Sequence, residues 1–401
     1  MKVMVLLGDG MGDYPIEEYN GRTPLQQAEI PNIRRLAAAG KVQLVQTIPE
    51  GMSPGSDVAN LSMLGFDPRR YYTGRAPIEA AGAGCDMAPE DVAFRCNLVT
   101  VQDGIITDHS SGHITTPEGA ELIKAIGQAL GSYEMRFHPG ASYRHLLLWR
   151  NGPVTTHTIP PHDVLGQRVE YNMPRGGGAA AITRLMEASR EILKDHPVNA
   201  ARLRAGKSPA TQIWLWGQGR RTVLPSFQEL YGMTGGVISA VDLVRGIGLL
   251  AGLDAPHIPG ATGLIDTNYA GKLEAARALL DAGRDFIFLH VEAPDECGHM
   301  GDLKLKTRAI EVFDKEVVGP AWRMLQSIGQ PYRIVIATDH RTPIAIRSHT
   351  LEPVPLLICD SIAHLPEEEQ PFDEFVNNGV AHGLAFDIMQ TTLKTAREVK
   401  T

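Results

Sequence analysis

Four short runs of the chain, Lys2–Leu7, Phe286–Val291, Arg333–Ala337 and Val354–Cys359, are rich in valine and isoleucine and show no polar alternation. A strand with one wet face alternates apolar and polar residues. A run that does not alternate predicts a strand covered on both faces. Segments of helical character lie between them, at Pro24–Ala39, Asn268–Ala282 and Lys304–Ile328. Strands of this kind need helices on both sides of their sheet. The alternation therefore predicts an α/β fold around a mainly parallel sheet. At 401 residues the chain is long enough for two or three domains with a large core.

The middle reads differently. From about Tyr72 to Gly178 the chain is loop-rich, with alternating segments at Val92–Val101 and Tyr143–Arg150. One helix, Pro117–Leu130, begins with proline in its first turn, after Thr115 and Thr116. The stretch Arg175-Gly176-Gly177-Gly178 precedes a helix at Ala179–Leu193 and reads equally as a hinge or as a plain helix-entry loop. These features predict an inserted α+β domain at 73–178, interrupting a core domain built from 1–72 and 179–401.

Charge and composition exclude several functions. Thirty-eight basic against forty-six acidic residues leave a net charge of -8, the wrong sign for gripping a nucleic-acid backbone. The most apolar stretch, Met233–Leu253, carries Asp242 and Arg245 in its middle, which suits a strand and buried helix better than a membrane span. Lys2 is followed by only five apolar residues, Val3 to Leu7, short of the roughly 7–15 that a secretory signal needs. Cys85, Cys96, Cys297 and Cys359 form no C-x-x-C pair and read as reduced core thiols. The expectation is a cytoplasmic protein with no membrane or nucleic-acid partner; the sequence does not set the oligomeric state. Nucleotide signatures fail as well. Gly206-Lys207-Ser208 has Ala201 where a P-loop needs glycine, and Gly217-Gln218-Gly219 lacks the third glycine of a dinucleotide fingerprint.

The chemistry lies just beyond the strands. Val3–Leu7 runs into Gly8-Asp9-Gly10, Phe286–Val291 into a segment holding Asp295 and His299, and Arg333–Ala337 into Asp339-His340, with His349 nine residues on. Ligands of open α/β sheets gather at the carboxyl ends of strands. Each aspartate alone reads as a turn or cap residue. Their joint occurrence with imidazoles is an oxygen and nitrogen donor set that suits Mn²⁺ or Zn²⁺. Asp295 and His299, four apart, share one face of a helical turn. Ser56 follows a Pro-Gly turn and leads into a helix-like segment. Alone it reads as an N-cap. The same geometry suits a nucleophile, because a helix N-terminus favours phosphate and a neighbouring dication lowers a hydroxyl pKa. Local sequence does not choose between the two.

Together these pieces resemble a known family. Gly8–Asp13 (GDGMGD), Ser53–Pro68 (SPGSDVANLSMLGFDP), Ala293–Asp302 (APDECGHMGD), Thr338–His340 (TDH) and Ser348–Leu357 (SHTLEPVPLL) resemble, in family order, the cofactor-independent phosphoglycerate mutases of the shorter archaeal type. These enzymes, also called 2,3-bisphosphoglycerate-independent, belong to the alkaline phosphatase-like metalloenzymes. The resemblance implies an alkaline phosphatase-like core and two divalent ions, Mn²⁺ first, with Mg²⁺, Zn²⁺ or Co²⁺ as alternatives. It implies neither a nucleotide nor 2,3-bisphosphoglycerate as cofactor. Asp9, Ser56, Asp339 and His340 would hold one ion, and Asp295, His299 and His349 the other. Ser56 would take the phosphoryl group of a small phosphorylated substrate, 3-phosphoglycerate, and return it to make 2-phosphoglycerate. The inserted domain would close over the substrate. His113 is its expected acid/base, with His109 in reserve; Asp108, Arg144 and His145 within it, and Arg245 and Lys272 outside it, are the expected substrate contacts. The alternatives on the same scaffold are a metal-dependent phosphatase and a homoserine kinase-like phosphotransferase. A metal-stabilised binding module is disfavoured, because structural metal sites rarely recruit a serine.

Overall fold

The computed structural model describes residues 1–398. Strand Lys2–Gly8 is buried along its whole length and lies between two parallel neighbours, Phe286–Val291 and Tyr332–Ala337. The seven-stranded sheet runs in the spatial order Gly235–Ile238, Phe286–Val291, Lys2–Gly8, Tyr332–Ala337, Val354–Asp360, Lys41–Gln46, Ala381–Leu384. Four pairings are parallel, and Val354–Asp360 runs against both its neighbours. On one face Met4, Leu6, Ile287, Leu289, Ile334 and Ile336 join Ile33, Leu36, Ile310 and Phe313 in one core. The alternate residues Val3, Val5 and Leu7 are just as buried, and helix Ala385–Glu398 packs on their strand. Runs without alternation are thus covered on both faces.

Register then decides where the chemistry can gather. Gly8 pairs with Val291 and Leu7 with Ala337, so Asp9, Glu292 and Thr338 leave the sheet at one level. Ala337 pairs with Leu356 of the antiparallel strand, so the segment entering that strand, which carries His349, arrives at the same edge. Lys41–Gln46 is antiparallel to Val354–Asp360 and delivers the chain toward Ser56 there too.

The second compact unit is Thr73–Val223, and the first is Met1–Tyr72 with the chain from Leu224 on. The second unit runs past the expected end at 178, because strand Gln212–Arg220 pairs with Asp91–Gln102. The rest of its antiparallel sheet is Ile105–Asp108, Arg144–Arg150 and Met135–His138. Ile182 and Met186 of helix Ala179–Lys194 enter the same core as Phe94, Leu147 and Trp214. Thr115 opens helix Thr116–Leu130 through a capping box with Glu118. Of the glycine stretch, Arg175–Gly176 pairs with Thr156–His157 and Gly178, at φ 81°, enters the next helix. The stretch is a helix-entry turn inside the unit.

Two helical segments differ from expectation. Pro24–Ala39 is two helices, Pro24–Gln27 and Pro31–Ala39, because Pro31 offers no N–H and starts a new first turn. The segment expected at Lys304–Ile328 contains a π-helical turn, Phe313–Val318, just before Pro320. All four cysteines are free thiols. Among the described residues no helix is long and apolar enough to cross a membrane.

Candidate functional site

Pro294 starts helix Ala293–Met300 in its first turn and sets Asp295 and His299 one turn apart. His299 Nε2 lies 3.2 Å from Asp295 Oδ2. His349 Nε2 lies 3.1 Å from His299 Nε2 and 3.5 Å from Asp295 Oδ1. Beside this group stand Asp9, Asp339 and His340. Asp339 accepts from the Gly10 N–H at 3.1 Å and from the Asn60 amide at 2.8 Å. His340 Nε2 is 3.4 Å from both Asp9 Oδ1 and Asp339 Oδ2. Donor atoms of Asp9, Asp339 and His340 lie within 4.8 Å of one another, as do those of Asp295, His340 and His349. His340 therefore borders both groups.

Ser56 is the first residue of helix Ser56–Met63; the cap position belongs to Gly55, and no side chain caps the helix. The N-cap reading of Ser56 is thus corrected. Its Oγ instead lies 3.1 Å from His340 Nε2. Asn60, one turn on, donates to the Ser56 carbonyl at 2.9 Å as well as to Asp339. That bridge fixes the serine relative to the carboxylates.

The electrostatics are those of a site short of positive charge. Burial, followed by the carboxylates of Asp339, Asp295 and Glu292, pushes Asp9 well above the usual range. Burial also raises Asp339, with Asp295 adding to it. Burial also works against the charged form of Asp295, but His299 and His349 outweigh it and hold that carboxyl well below the usual range. The Asp295 charge in turn raises His299 to about 9. Asp9 Oδ1 is buried with no hydrogen-bond donor among the described residues. His299 Nδ1 lies 2.9 Å from the Arg347 carbonyl, to which it can only donate, so its Nε2 faces the cluster. An orphaned carboxylate oxygen, mutually repelling carboxylates and imidazole Nε2 atoms aimed inward fit divalent cations.

Supporting residues that the sequence reading missed surround this set. His290 Nε2 lies 2.9 Å from Asp9 Oδ2, and the Ser239 hydroxyl lies 3.1 Å from His290 Nδ1. Lys272, expected at the substrate, is buried instead and donates to the His290 carbonyl at 2.8 Å; burial pulls its pKa to about 8. Arg245 pairs with Asp242 at 3.0 Å on its own helix.

In the second unit Asp108 organises the loop that carries the histidines. Its carboxylate accepts from the Ser110 N–H at 2.7 Å and from the Gly112 N–H at 2.6 Å. Ser111, Gly112 and His113 all have positive φ, at 50°, 64° and 47°. Buried Arg202 holds that conformation by donating to the carbonyls of Ser111 and Gly112 at 2.5 and 3.2 Å. His113 is exposed, whereas the His109 ring stacks edge-on with Tyr143 at 5.6 Å and faces His162 at 6.3 Å. His145 does not share a face with Arg144. It is buried, its Nδ1 accepts from the Gly140 N–H at 3.0 Å, and burial lowers it to about 3. Arg144 lies over Tyr143 at 5.6 Å. Arg75 and Arg95, both missed, lie over Trp216 at 5.7 and 5.1 Å, and His162 meets the same ring at 5.5 Å. Burial works against the charge of Glu79, but Arg95, Arg75 and Arg144 overcome it and lower its pKa. Three guanidinium groups bear on that one carboxylate, a signal that only the strand pairing reveals.

Comparison with known proteins agrees. Residues 37–199 match the family model described as 2,3-bisphosphoglycerate-independent phosphoglycerate mutase. The chain is 51% identical over 362 residues to a Geobacter sulfurreducens protein named as a probable enzyme of that kind, covering 89% of this chain and 90% of that one. It is 49% identical to the Methanosarcina acetivorans protein of the same name, covering 94% and 96%. Among solved structures, a Pyrococcus horikoshii protein matches with a TM-score of 0.77 at 29% identity, covering 98% and 97%. The cofactor-independent phosphoglycerate mutase of Thermoplasma acidophilum matches with a TM-score of 0.60 at 28% identity, covering 99% and 100%.

Proposed function

The chain belongs to the 2,3-bisphosphoglycerate-independent phosphoglycerate mutase family, and from that premise we propose that it interconverts 3-phosphoglycerate and 2-phosphoglycerate through a phosphoserine at Ser56. The observation that carries the reading is Ser56 Oγ standing against His340 Nε2 at 3.1 Å, beside the paired carboxylates of Asp9 and Asp339. Asp9, Ser56, Asp339 and His340 would hold one divalent ion; Asp295, His299 and His349 would hold the other, with His340 bordering both. When bound, such ions favour the ionised serine hydroxyl and offset the charge spread over the phosphoryl oxygens.

The residues of the chain then divide the work. Asn60 keeps Ser56 and Asp339 in fixed relation, so the nucleophile is aimed before substrate arrives. The Ser56 Oγ–P bond forms as the P–O3 bond breaks. His109 gives a proton to the departing O3 of glycerate. It then takes one from the O2 hydroxyl as the O2–P bond forms and the Ser56 Oγ–P bond breaks, so both the ring and Ser56 end as they began. His109 takes this role over His113 because its ring belongs to the Tyr143, His162 and Trp216 group. Arg75, Arg95 and Arg144, which act together on Glu79, would also recognise the glycerate carboxylate. Exclusion of water during glycerate reorientation decides between transfer and hydrolysis.

The test is 3-phosphoglycerate with Mn²⁺, without ATP or bisphosphoglycerate. The reading requires 2-phosphoglycerate with little free phosphate. Stoichiometric phosphate release with no 2-phosphoglycerate would make the protein a phosphatase. Silence until ATP and homoserine are added would make it a kinase.

A further inference from the structure

Thr342 lies three residues beyond Asp339, is fully buried, and carries a hydroxyl that touches both groups of candidate ligands. That hydroxyl has one proton and two lone pairs. An ionised carboxylate only accepts, so the Thr342 O–H donates to Asp295 Oδ1. His340 Nδ1, 3.2 Å from the same oxygen, must then be the donor into it. With its proton on Nδ1, the neutral His340 ring has its bare nitrogen at Nε2, the atom that faces Asp9 and Asp339.

The surroundings leave the hydroxyl little freedom. The Thr342 N–H donates to the Gly12 carbonyl at 3.1 Å, and the Thr342 carbonyl accepts from Lys306 Nζ at 2.8 Å. Lys306 is itself fully buried and paired with Asp13 at 2.8 Å. A Cβ at Gly10 would come within 2.6 Å of Thr342 Oγ1, and one at Gly298 within 2.5 Å of the Thr342 carbonyl oxygen. Gly10, at φ 62°, is therefore needed for space as well as for conformation.

We propose that Thr342 is a positioning residue that couples the two cation sites, fixing the His340 tautomer for one and the Asp295 carboxylate for the other through a single hydroxyl. The inference rests on the two-ion reading of the proposed function. Groups that orient ligands are each worth about 10–100-fold in metal affinity, and here one group serves both sites.

The experiment is calorimetric titration of the chelator-stripped protein with Mn²⁺, comparing wild type, Thr342→Val and Thr342→Ser. Valine keeps the shape and loses the hydroxyl; serine keeps the hydroxyl and loses the methyl. Both Mn²⁺ dissociation constants should rise about 10–100-fold in Thr342→Val and return toward wild type in Thr342→Ser. A purely packing role would leave serine at least as weak as valine, and that result overturns the proposal. So does a valine variant in which neither constant moves, or only one. Wild-type protein that takes up fewer than two ions overturns the two-ion reading itself, and the coupling with it, and it shows in the wild-type titration alone.

Discussion

Replacing Asp9 with asparagine should stabilise the protein when cations are withheld and destabilise it when they are supplied. The donor atoms of Asp9 and Asp339 lie within 4.8 Å of one another. At an effective dielectric constant of about 20, two unit charges at that distance repel by about 3 kcal/mol. Asparagine removes that repulsion and still accepts from His290. Its amide replaces the Oδ1 that has no donor. The folded-state pKa of Asp9 is raised above its ordinary 3.8, with burial and then Asp339 as the main causes. Its ionisation therefore costs nothing below about pH 4 and costs progressively more as pH rises through the raised value. The advantage of Asp9→Asn should accordingly be absent in acid and grow toward pH 8. It should reach about 1–3 kcal/mol, of the order of the repulsion that is removed. At about 2–4 °C per kcal/mol, the midpoint should rise by roughly 2–12 °C. Excess Mn²⁺ should reverse the order, because ligand at 1,000 times its dissociation constant adds about 4 kcal/mol to the form that binds it. Scanning calorimetry with chelator and with Mn²⁺ reads all of this. A chelated Asp9→Asn protein that melts at or below wild type at pH 8 would refute the charge-deficient site.

Ser56→Ala should abolish turnover and phosphoenzyme while changing stability by no more than about 1 kcal/mol, since Ser56 caps nothing and its hydroxyl makes one bond, to His340. Label trapped on Ser53 or Ser62 by peptide mapping would contradict the assignment. Because Asp295 raises His299 to about 9 in the ion-free protein, a cation must displace a proton there. Apparent Mn²⁺ affinity should thus climb from pH 6 to about 9 and then level off, and a flat profile would sink that account. Arg202→Ala leaves the carbonyls of Ser111, Gly112 and Ser208 without their Arg202 donor and removes the ion pair to Glu118, which keeps Thr115. The expected loss is about 3–5 kcal/mol in urea unfolding; a loss below about 1 kcal/mol would show that the left-handed turn at Ser111–His113 holds itself.

The central strands and the residues just after them were legible because both signals are local. An apolar run reports two covered faces, and an aspartate or histidine at its end reports the sheet edge. The supporting residues leave no such trace. Asn60 matters through Asp339 and Thr342 through Asp295, pairs that only the folded sheet brings together. The end of the second unit was misread for the same reason. The strand Gln212–Arg220 looks like any core strand until its pairing with Asp91–Gln102 assigns it. Two features were readable locally. Pro31 inside an apparent helix is a stop signal. Arg144 and His145 are neighbours on a strand, so their side chains leave on opposite faces.

The spatial order of the main sheet also sets an order in time. Lys2–Gly8 is synthesised first, yet the strands on either side of it are Phe286–Val291 and Tyr332–Ala337. At about 5–20 residues per second, its first neighbour leaves the ribosome roughly 15–60 s later. Thr73–Val223 is continuous in sequence and can complete its own sheet within that interval. The nascent chain therefore assembles from its interruption outward, with an apolar N-terminal segment awaiting its partners throughout. Asp9 meets Asp339 only after the 329 residues between them in sequence have been made, so a fragment released before Asp339 lacks the Asp9–Asp339–His340 group.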